Sequence, residues 1–240
     1  MARNFEFAVG EYYHLYNRGT DKRDIFLHKG DYERFVGLLY LCNSEHPIHR
    51  SDYQSSTLTD IFRIKVPKRI VAVGAYCLMP NHFHILVKEI KPNGISSFMQ
   101  KFSTAYTMFF NKKYERTGAL FESRFRARHV DNDRYLKYLF SYIHLNPVKI
   151  IDPLWKENSV ADRLSAERFL NSYPFSSFID YCSTSRAEAT LLSINEFPQY
   201  FKNDNSFIIF LRDWLVLLSR LNLDSAGESN SGYYSSNVIG

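Results

Sequence analysis

The stretch Val71-Ala72-Val73-Gly74-Ala75-Tyr76-Cys77-Leu78-Met79-Pro80-Asn81-His82-Phe83-His84-Ile85-Leu86-Val87-Lys88-Glu89 decides the fold. Residues 71–79 are an apolar run, Pro80-Asn81 is a tight-turn pair, and 82–89 resume as a second strand, so the segment reads as a β-hairpin. Side chains alternate along a strand, which sends His82, His84 and Leu86 to one face and Phe83, Ile85 and Val87 to the other. The second set is core. A strand with one fully apolar face is central in its sheet, and the two imidazoles, about 7 Å apart at the backbone, emerge on the opposite surface where both can reach one cation.

Working outward, Tyr12 to Asn17 read as an aromatic first strand that leaves through Arg18-Gly19-Thr20. A helix that Asp31 can cap follows, with Phe35, Leu38, Leu39 and Cys42 on one stripe. Asn43 to Thr59 is polar and reads as a loop. After the hairpin, Pro92-Asn93-Gly94 ends the strand, and Ile95, Phe98, Met99, Phe102, Tyr106 and Phe109 repeat at helical spacing, a packing face. A basic loop is expected from Asn111 to His129. A helix then starts at Asp131 or Asn132 and runs to about Asn146, where Pro147 stops it. Its core face is Leu136, Leu139, Phe140 and Ile143; Tyr135, Tyr138 and Tyr142 lie along one flank, with Asn146 in line. Beyond Val148 strand character is lost, apart from one amphipathic helical segment at Ser206 to Leu221. The expected organisation is an α/β (α+β) domain over residues 1–180, a helical appendage over 181–223 and a disordered Ser/Gly/Asn-rich tail over 224–240.

With 240 residues, 45% hydrophobic and 16% aromatic, the chain can bury a sizeable core. It shows no signal peptide or membrane-length apolar run, and its three cysteines, far apart and in no CxxC pair, indicate neither a disulfide framework nor a cysteine zinc site. The expected compartment is the reducing cytoplasm, beside the nucleoid, with no membrane partner. The net charge of +5 is concentrated: residues 101–149 hold ten Lys/Arg against four Asp/Glu. Lys112, Lys113, Arg124, Arg126 and Arg128 lie there among Phe109, Phe110, Tyr114, Phe121 and Phe125, a composition that suits a phosphate backbone with unpaired bases stacking nearby, or simply a solvated basic face.

Three ordered motifs, Tyr13-His14-Leu15-Tyr16-Asn17-Arg18-Gly19, Met79 to Val87, and Tyr142-Ile143-His144-Leu145-Asn146-Pro147-Val148, together with Gly118 to Phe125, resemble the IS200-like transposase family, in particular its REP-associated tyrosine transposases. The resemblance runs from about Glu11 to about Tyr181. It implies a ferredoxin-like antiparallel sheet with the histidine pair on a central strand, a nucleophilic tyrosine on a flanking helix, a divalent ion, Mg²⁺ or Mn²⁺, on His82 and His84, and cleavage of single-stranded DNA beside a hairpin through a 5′-phosphotyrosine. Such a tyrosine follows the basic loop, which in this chain is Tyr135, in the first turn of its helix, with Tyr138 and Tyr142 on the same flank as its rivals. Relatives often take a third ligand from the tyrosine's own helix, but one turn after Tyr135 stands Leu139, which cannot coordinate; Asn146 and Asn81 are the substitutes. Arg18, Arg124, Arg126, Arg128, Lys112 and Lys113 are the candidate DNA contacts, and a monomer is expected rather than a homodimer. His144, on the far side of its helix from Tyr135, reads as structural. The competing readings are a non-cleaving hairpin-binding protein and a replication-initiator or relaxase-type nuclease.

Overall fold

The computed structural model describes residues 6–46, 57–158, 160–182, 185–201 and 203–221. Four strands, β1 (Tyr12–Arg18), β2 (Val71–Met79), β3 (His82–Glu89) and β4 (Arg126–Val130), form an antiparallel sheet in the order β2-β3-β1-β4. Helices α1 (Lys29–Leu41) and α3 (Gly94–Lys113) connect β1 to β2 and β3 to β4, with a short α2 (Leu58–Arg63) before β2. That β-α-β-β-α-β order, with β1 and β3 central, is the ferredoxin-like arrangement the sequence implied.

Two cores sandwich the sheet. On one face Leu15, Phe83, Ile85, Val87, Val73 and Tyr76 pack against Phe35 and Leu39 of α1 and Phe98, Phe102 and Tyr106 of α3. On the other, Ala75, Cys77, Met79, Leu86 and Val130 meet Leu136, Leu139, Phe140 and Ile143 of α4 (Asp133–Leu145), so the predicted core face of that helix is the one buried. β2 is an edge strand buried along its whole length. Its outer edge is covered by later chain: Leu78 N–H donates to the Phe175 carbonyl (2.9 Å), Ser177 N–H to Tyr76 (3.0 Å) and Ser193 N–H to Val73 (2.8 Å), which removes an open template for strand pairing. The pairing of β2 with β3 slips between Val73 and Ala75, and at Gly74 a Cβ would stand 2.6 Å from the Phe197 ring, so this bulge accepts only a residue without a side chain.

Three local expectations change. The basic loop ends in a strand: Arg126 to Val130 lacks an apolar alternation and becomes β4 by pairing with β1, from Tyr16 opposite Arg126 to Tyr12 opposite Val130. Helix α1 begins before Asp31, whose carboxylate instead accepts the His28 N–H (2.9 Å) and Leu27 N–H (2.8 Å) from the first turn. The polar stretch Asn43 to Thr59 overlaps the start of α2, and its residues 47–56, like the tail 222–240, lie outside the described residues.

After α4 the chain makes a 3-10 turn over Asn146–Ile150, then α5 (Trp155–Asn158), α6 (Arg163–Ser172) and α7 (Asp204–Leu221). Trp155, Ala166, Leu170 and Phe178 join Phe207, Leu211 and Leu215 of α7 in a third cluster against Leu145 and Val148. This cluster braces the C-terminal end of α4. No helix among the described residues is long and apolar enough to cross a membrane.

Candidate metal and nucleophile site

The histidines gather on the sheet face beneath α4. β1 and β3 pair with Arg18 opposite His82 and Tyr16 opposite His84, so the alternation that buries Leu15 and Phe83 in the first core turns Arg18, Tyr16, His14, His82 and His84 to the second face. His14 and His84 sit diagonally across the two strands, His14 Nε2 2.9 Å from His84 Nδ1. The His82 ring stands edge-on to His84 at 5.0 Å between centroids.

A hydrogen bond fixes the His82 tautomer. Asn81 Nδ2 donates to the Lys22 carbonyl (3.1 Å), which turns Asn81 Oδ1 towards His82 Nδ1, 2.6 Å away. An amide oxygen only accepts, so His82 carries its proton on Nδ1 and a lone pair on Nε2. His84 Nε2 is buried and has no hydrogen-bond partner among the described residues. In the tautomer in which His84 Nδ1 donates to His14 Nε2, that nitrogen is a bare lone pair. Burial, then the Arg128 charge, pushes His14 down to about 3. Burial, reinforced by Arg18 and Lys149, pushes His82 down, and burial with the neighbouring His14 and His82 holds His84 well below the usual range. Neutral imidazole is the state that binds a cation.

Helix α4 brings a tyrosine to this row, and it is Tyr142. Asn132 caps the helix by accepting the Tyr135 N–H (2.8 Å), which places Tyr135 in the first turn, its ring under the Arg128 guanidinium at 4.6 Å. Tyr135 stacks on Tyr138 (5.9 Å), and Tyr138 lies 5.8 Å from Tyr142. Tyr142 meets the histidines directly, its ring 5.2 Å from His84, edge to face, and 6.0 Å from His14. The expected Tyr135 stands two turns, about 10 Å along the axis, from the tyrosine that touches the pair. The physical reason is the docking of α4, whose C-terminal half overlies His84.

One turn beyond Tyr142, Asn146 is 1% exposed and faces His82 as a hydrogen-bonding neighbour that favours the charged imidazole, while its buried Oδ1 makes no bond of ordinary hydrogen-bond geometry among the described residues. Among the described residues no three His, Cys, Asp or Glu side chains are arranged around a common ion position. A third donor to an ion held by His82 and His84 would have to come from other chemistry, and the Asn146 oxygen lies where it could serve. Two neutral imidazole nitrogens and an amide oxygen fit a divalent ion that accepts mixed nitrogen and oxygen donors. The Asn81 oxygen, already engaged by His82 Nδ1, orients the ring.

Lys156 of α5 closes the far side, 4% exposed, with Nζ 4.2 Å from the Tyr142 ring centroid. Of the expected DNA contacts, Arg126 and Arg128 project from β4 on the histidine face, in register with Tyr16 and His14, and are exposed, as is Arg124 just before the strand. Arg18 stands opposite His82. Lys112 and Lys113 do not join them, because α3 lies on the other side of the sheet; Lys113 Nζ is 2.6 Å from the buried carboxylate of Asp31, a structural ion pair. His144 is buried between the Phe140 carbonyl and Ser177 Oγ, each 2.8 Å away, and holds α4 to the segment after α6.

Residues 36–146 match the family model described as Transposase IS200 like. That segment is similar to IS200-like transposases. The matched segment is just under half of the chain, runs from α1 to the end of α4 and stops on Asn146 itself, leaving β1 and α5 outside it. Among solved structures, a REP-associated tyrosine transposase bound to a REP hairpin is similar in outline, with 14% identity, a TM-score of 0.47, and coverage of 78% of this chain and 89% of that one. No match is found among curated proteins.

Sequence reasoning gave no site role to His14, Tyr16 or Lys156 and set Tyr142 behind Tyr135. For Tyr142 a signal was present: a tyrosine that shares its helix face with a ligand one turn later should have a donor at i+4, and Tyr135 is followed by Leu139 whereas Tyr142 is followed by Asn146. His14 and Lys156 gave none, since their relation to His84 and Tyr142 is purely tertiary.

Proposed function

We propose that this domain nicks and rejoins single-stranded DNA beside a hairpin, with Tyr142 as nucleophile and His82, His84 and Asn146 as ligands of one divalent ion, Mn²⁺ or Mg²⁺. The observation that supports it is the meeting of Tyr142 with His84 at a site where a buried histidine nitrogen and a buried amide oxygen have no partner of ordinary hydrogen-bond geometry among the described residues. A divalent ion bound there would polarise a phosphate oxygen. Tyr142 loses its phenol proton to solvent as Oη attacks the scissile phosphorus; a P–O bond to tyrosine forms, the P–O3′ bond breaks, and the departing oxygen takes a proton from solvent to leave as a 3′-hydroxyl. A phosphotyrosine retains the ester's energy, so attack by a 3′-hydroxyl reverses the step and joins strands. His14 and Asn81 hold the two imidazoles in the tautomers that expose Nε2. Arg18, Arg124, Arg126 and Arg128 line the histidine side of the sheet and receive the backbone phosphates. Because Tyr142 lies against a histidine of its own chain, a monomer contains the full constellation. We assign residues 1–180 as the catalytic unit and 181–223 as its helical cover.

The test is denaturing electrophoresis of the protein incubated with end-labelled hairpin DNA bearing a single-stranded flank, followed by peptide mapping of the adduct. An adduct on Tyr142, absent in Tyr142→Phe, is expected. An adduct on Tyr135, or on Tyr16, whose ring is 6.0 Å from His84, overturns the choice of nucleophile, and product without any adduct indicates a water nucleophile.

A further inference from the structure

Single-stranded DNA is held by two kinds of contact, cations on its phosphates and aromatic rings on its unpaired bases. On the histidine face the exposed Arg124 and Arg126 are suited to the first. The second does not come from the aromatic residues that accompany the basic segment in sequence. Phe110 and Phe121 are buried in the first core, and Phe109, Tyr114 and Phe125 pack against it. Of the tyrosines on the histidine face, Tyr12, Tyr135 and Tyr142 pack against the second core and Tyr138 against the third. Tyr16 packs against none of the three. It stands half-buried on β1, directly opposite His84 of β3 on one side and Arg126 of β4 on the other. Its ring leans on the histidine row, with centroids 4.9 Å from His14 and 6.0 Å from His84 and tilts of 31° and 35°. The imidazoles support the ring, and its remaining surface meets solvent.

We propose that Tyr16 is a specificity-determining residue that stacks on the unpaired nucleobase next to the scissile phosphate. This rests on the reading of the histidine face as the place where single-stranded DNA is cut. A phosphate held beside His84 carries a base on its own nucleotide, and Tyr16 is the neighbouring ring on the strand that pairs with the histidine strand. Stacking asks for a π-face that every base has, so the contact selects for the presence of a base and not for its identity. A duplex keeps its bases stacked on one another and offers none to this ring, so Tyr16 favours unpaired DNA at the cleavage position. Tyr16 precedes the matched family segment, and its place beside His84 comes from the register of β1 on β3.

The experiment uses the full chain and hairpin DNA with a single-stranded flank in which one nucleotide at a time is made abasic, with binding read by fluorescence anisotropy in a chelating buffer so that no cleavage intervenes. One abasic position should weaken binding to the parent by about tenfold. Tyr16→Ile, which keeps a strand-forming side chain, should lose about tenfold on intact DNA and show no further loss at that position, while Tyr16→Phe, which keeps the ring, binds like the parent. A merely structural role would lower binding to all the DNAs alike and leave the abasic penalty in place. Such a pattern, no penalty at any position in the parent, or Tyr16→Phe behaving as Tyr16→Ile, overturns the stack. Circular dichroism and thermal melting monitor folding, and should Tyr16→Ile not fold, Tyr16→Thr takes its place. Cleavage by the parent in Mn²⁺ separates the two readings: a parent that forms no phosphotyrosine while the dependence on Tyr16 and the base persists loses the reaction and keeps the stack, and a parent that cleaves without that dependence loses the stack alone.

Discussion

Tyr142 and His84 meet edge to face across the junction of α4 and the sheet, ring centroids 5.2 Å apart, and Asn146 one turn further on lies against His82. A tyrosine and an amide at i and i+4 share a helix face, so the docking that brings one to the histidine row brings both. Removal of the Tyr142 hydroxyl as Phe should reduce adduct formation by about a hundredfold or more with folding intact, since the ring stays. Tyr135→Phe should cleave within about twofold of the parent. The assay is single-turnover cleavage of labelled hairpin DNA, and loss of cleavage in Tyr135→Phe with normal cleavage in Tyr142→Phe would reverse the assignment.

Ring orientation should matter almost as much as the ligands themselves. Asn81→Ala removes the acceptor at His82 Nδ1 and frees the tautomer, and is expected to weaken divalent-ion binding by roughly 10–100-fold. His84→Ala should abolish it. Isothermal titration with Mn²⁺ reads both variants directly, without DNA; unchanged affinity in Asn81→Ala would show that the His82 tautomer does not depend on this bond.

The basic residues divide by sheet face. Lys113→Ala leaves the fully buried Asp31 carboxylate without its ammonium, so stability should fall by about 3 kcal/mol while hairpin affinity stays unchanged. Arg126→Ala, on an exposed strand position of the histidine face, should leave stability nearly unaltered and weaken binding, lowering the salt dependence by about one counterion. Urea unfolding and fluorescence anisotropy at several salt concentrations separate the two, and a large affinity loss in Lys113→Ala would contradict the placement of DNA on the other face.

Acid should destabilise the chain before its carboxylates titrate. Burial pushes His144 down to about 3 from an unfolded value of 6.5, and His14 likewise. Both remain neutral in the folded chain while the unfolded chain takes up protons, so their contribution is present above pH 6.5 and is lost as pH falls from 6.5 towards 3. Each approaches a slope of about 1.4 kcal/mol per pH unit below the unfolded pKa. Urea denaturation between pH 7 and 5 should show this decline, and His144→Gln, less stable at pH 7, should show a shallower one. A flat profile would mean that neither His144 nor His14 stays neutral in the folded state.

The sequence by itself determined the strands of the hairpin, the two amphipathic helices and the histidine face, because these depend on local periodicity: two for a strand, about 3.6 for a helix. Val71–Met79 and His82–Glu89 fall where the pattern puts them, and the buried stripe of α4 is the one its spacing names. β4 was not legible, since Arg126-Ala127-Arg128-His129-Val130 has no apolar alternation and becomes a strand through hydrogen bonds to β1. The choice among Tyr135, Tyr138 and Tyr142 also belonged to tertiary structure: all three share a flank, and periodicity cannot say which turn of a helix overlies a given strand residue. That depends on where α4 is clamped along its axis, by Phe140 and Ile143 on the sheet and by His144 on Ser177, and these clamps set the helix so that Tyr142 and Asn146 overlie His84 and His82.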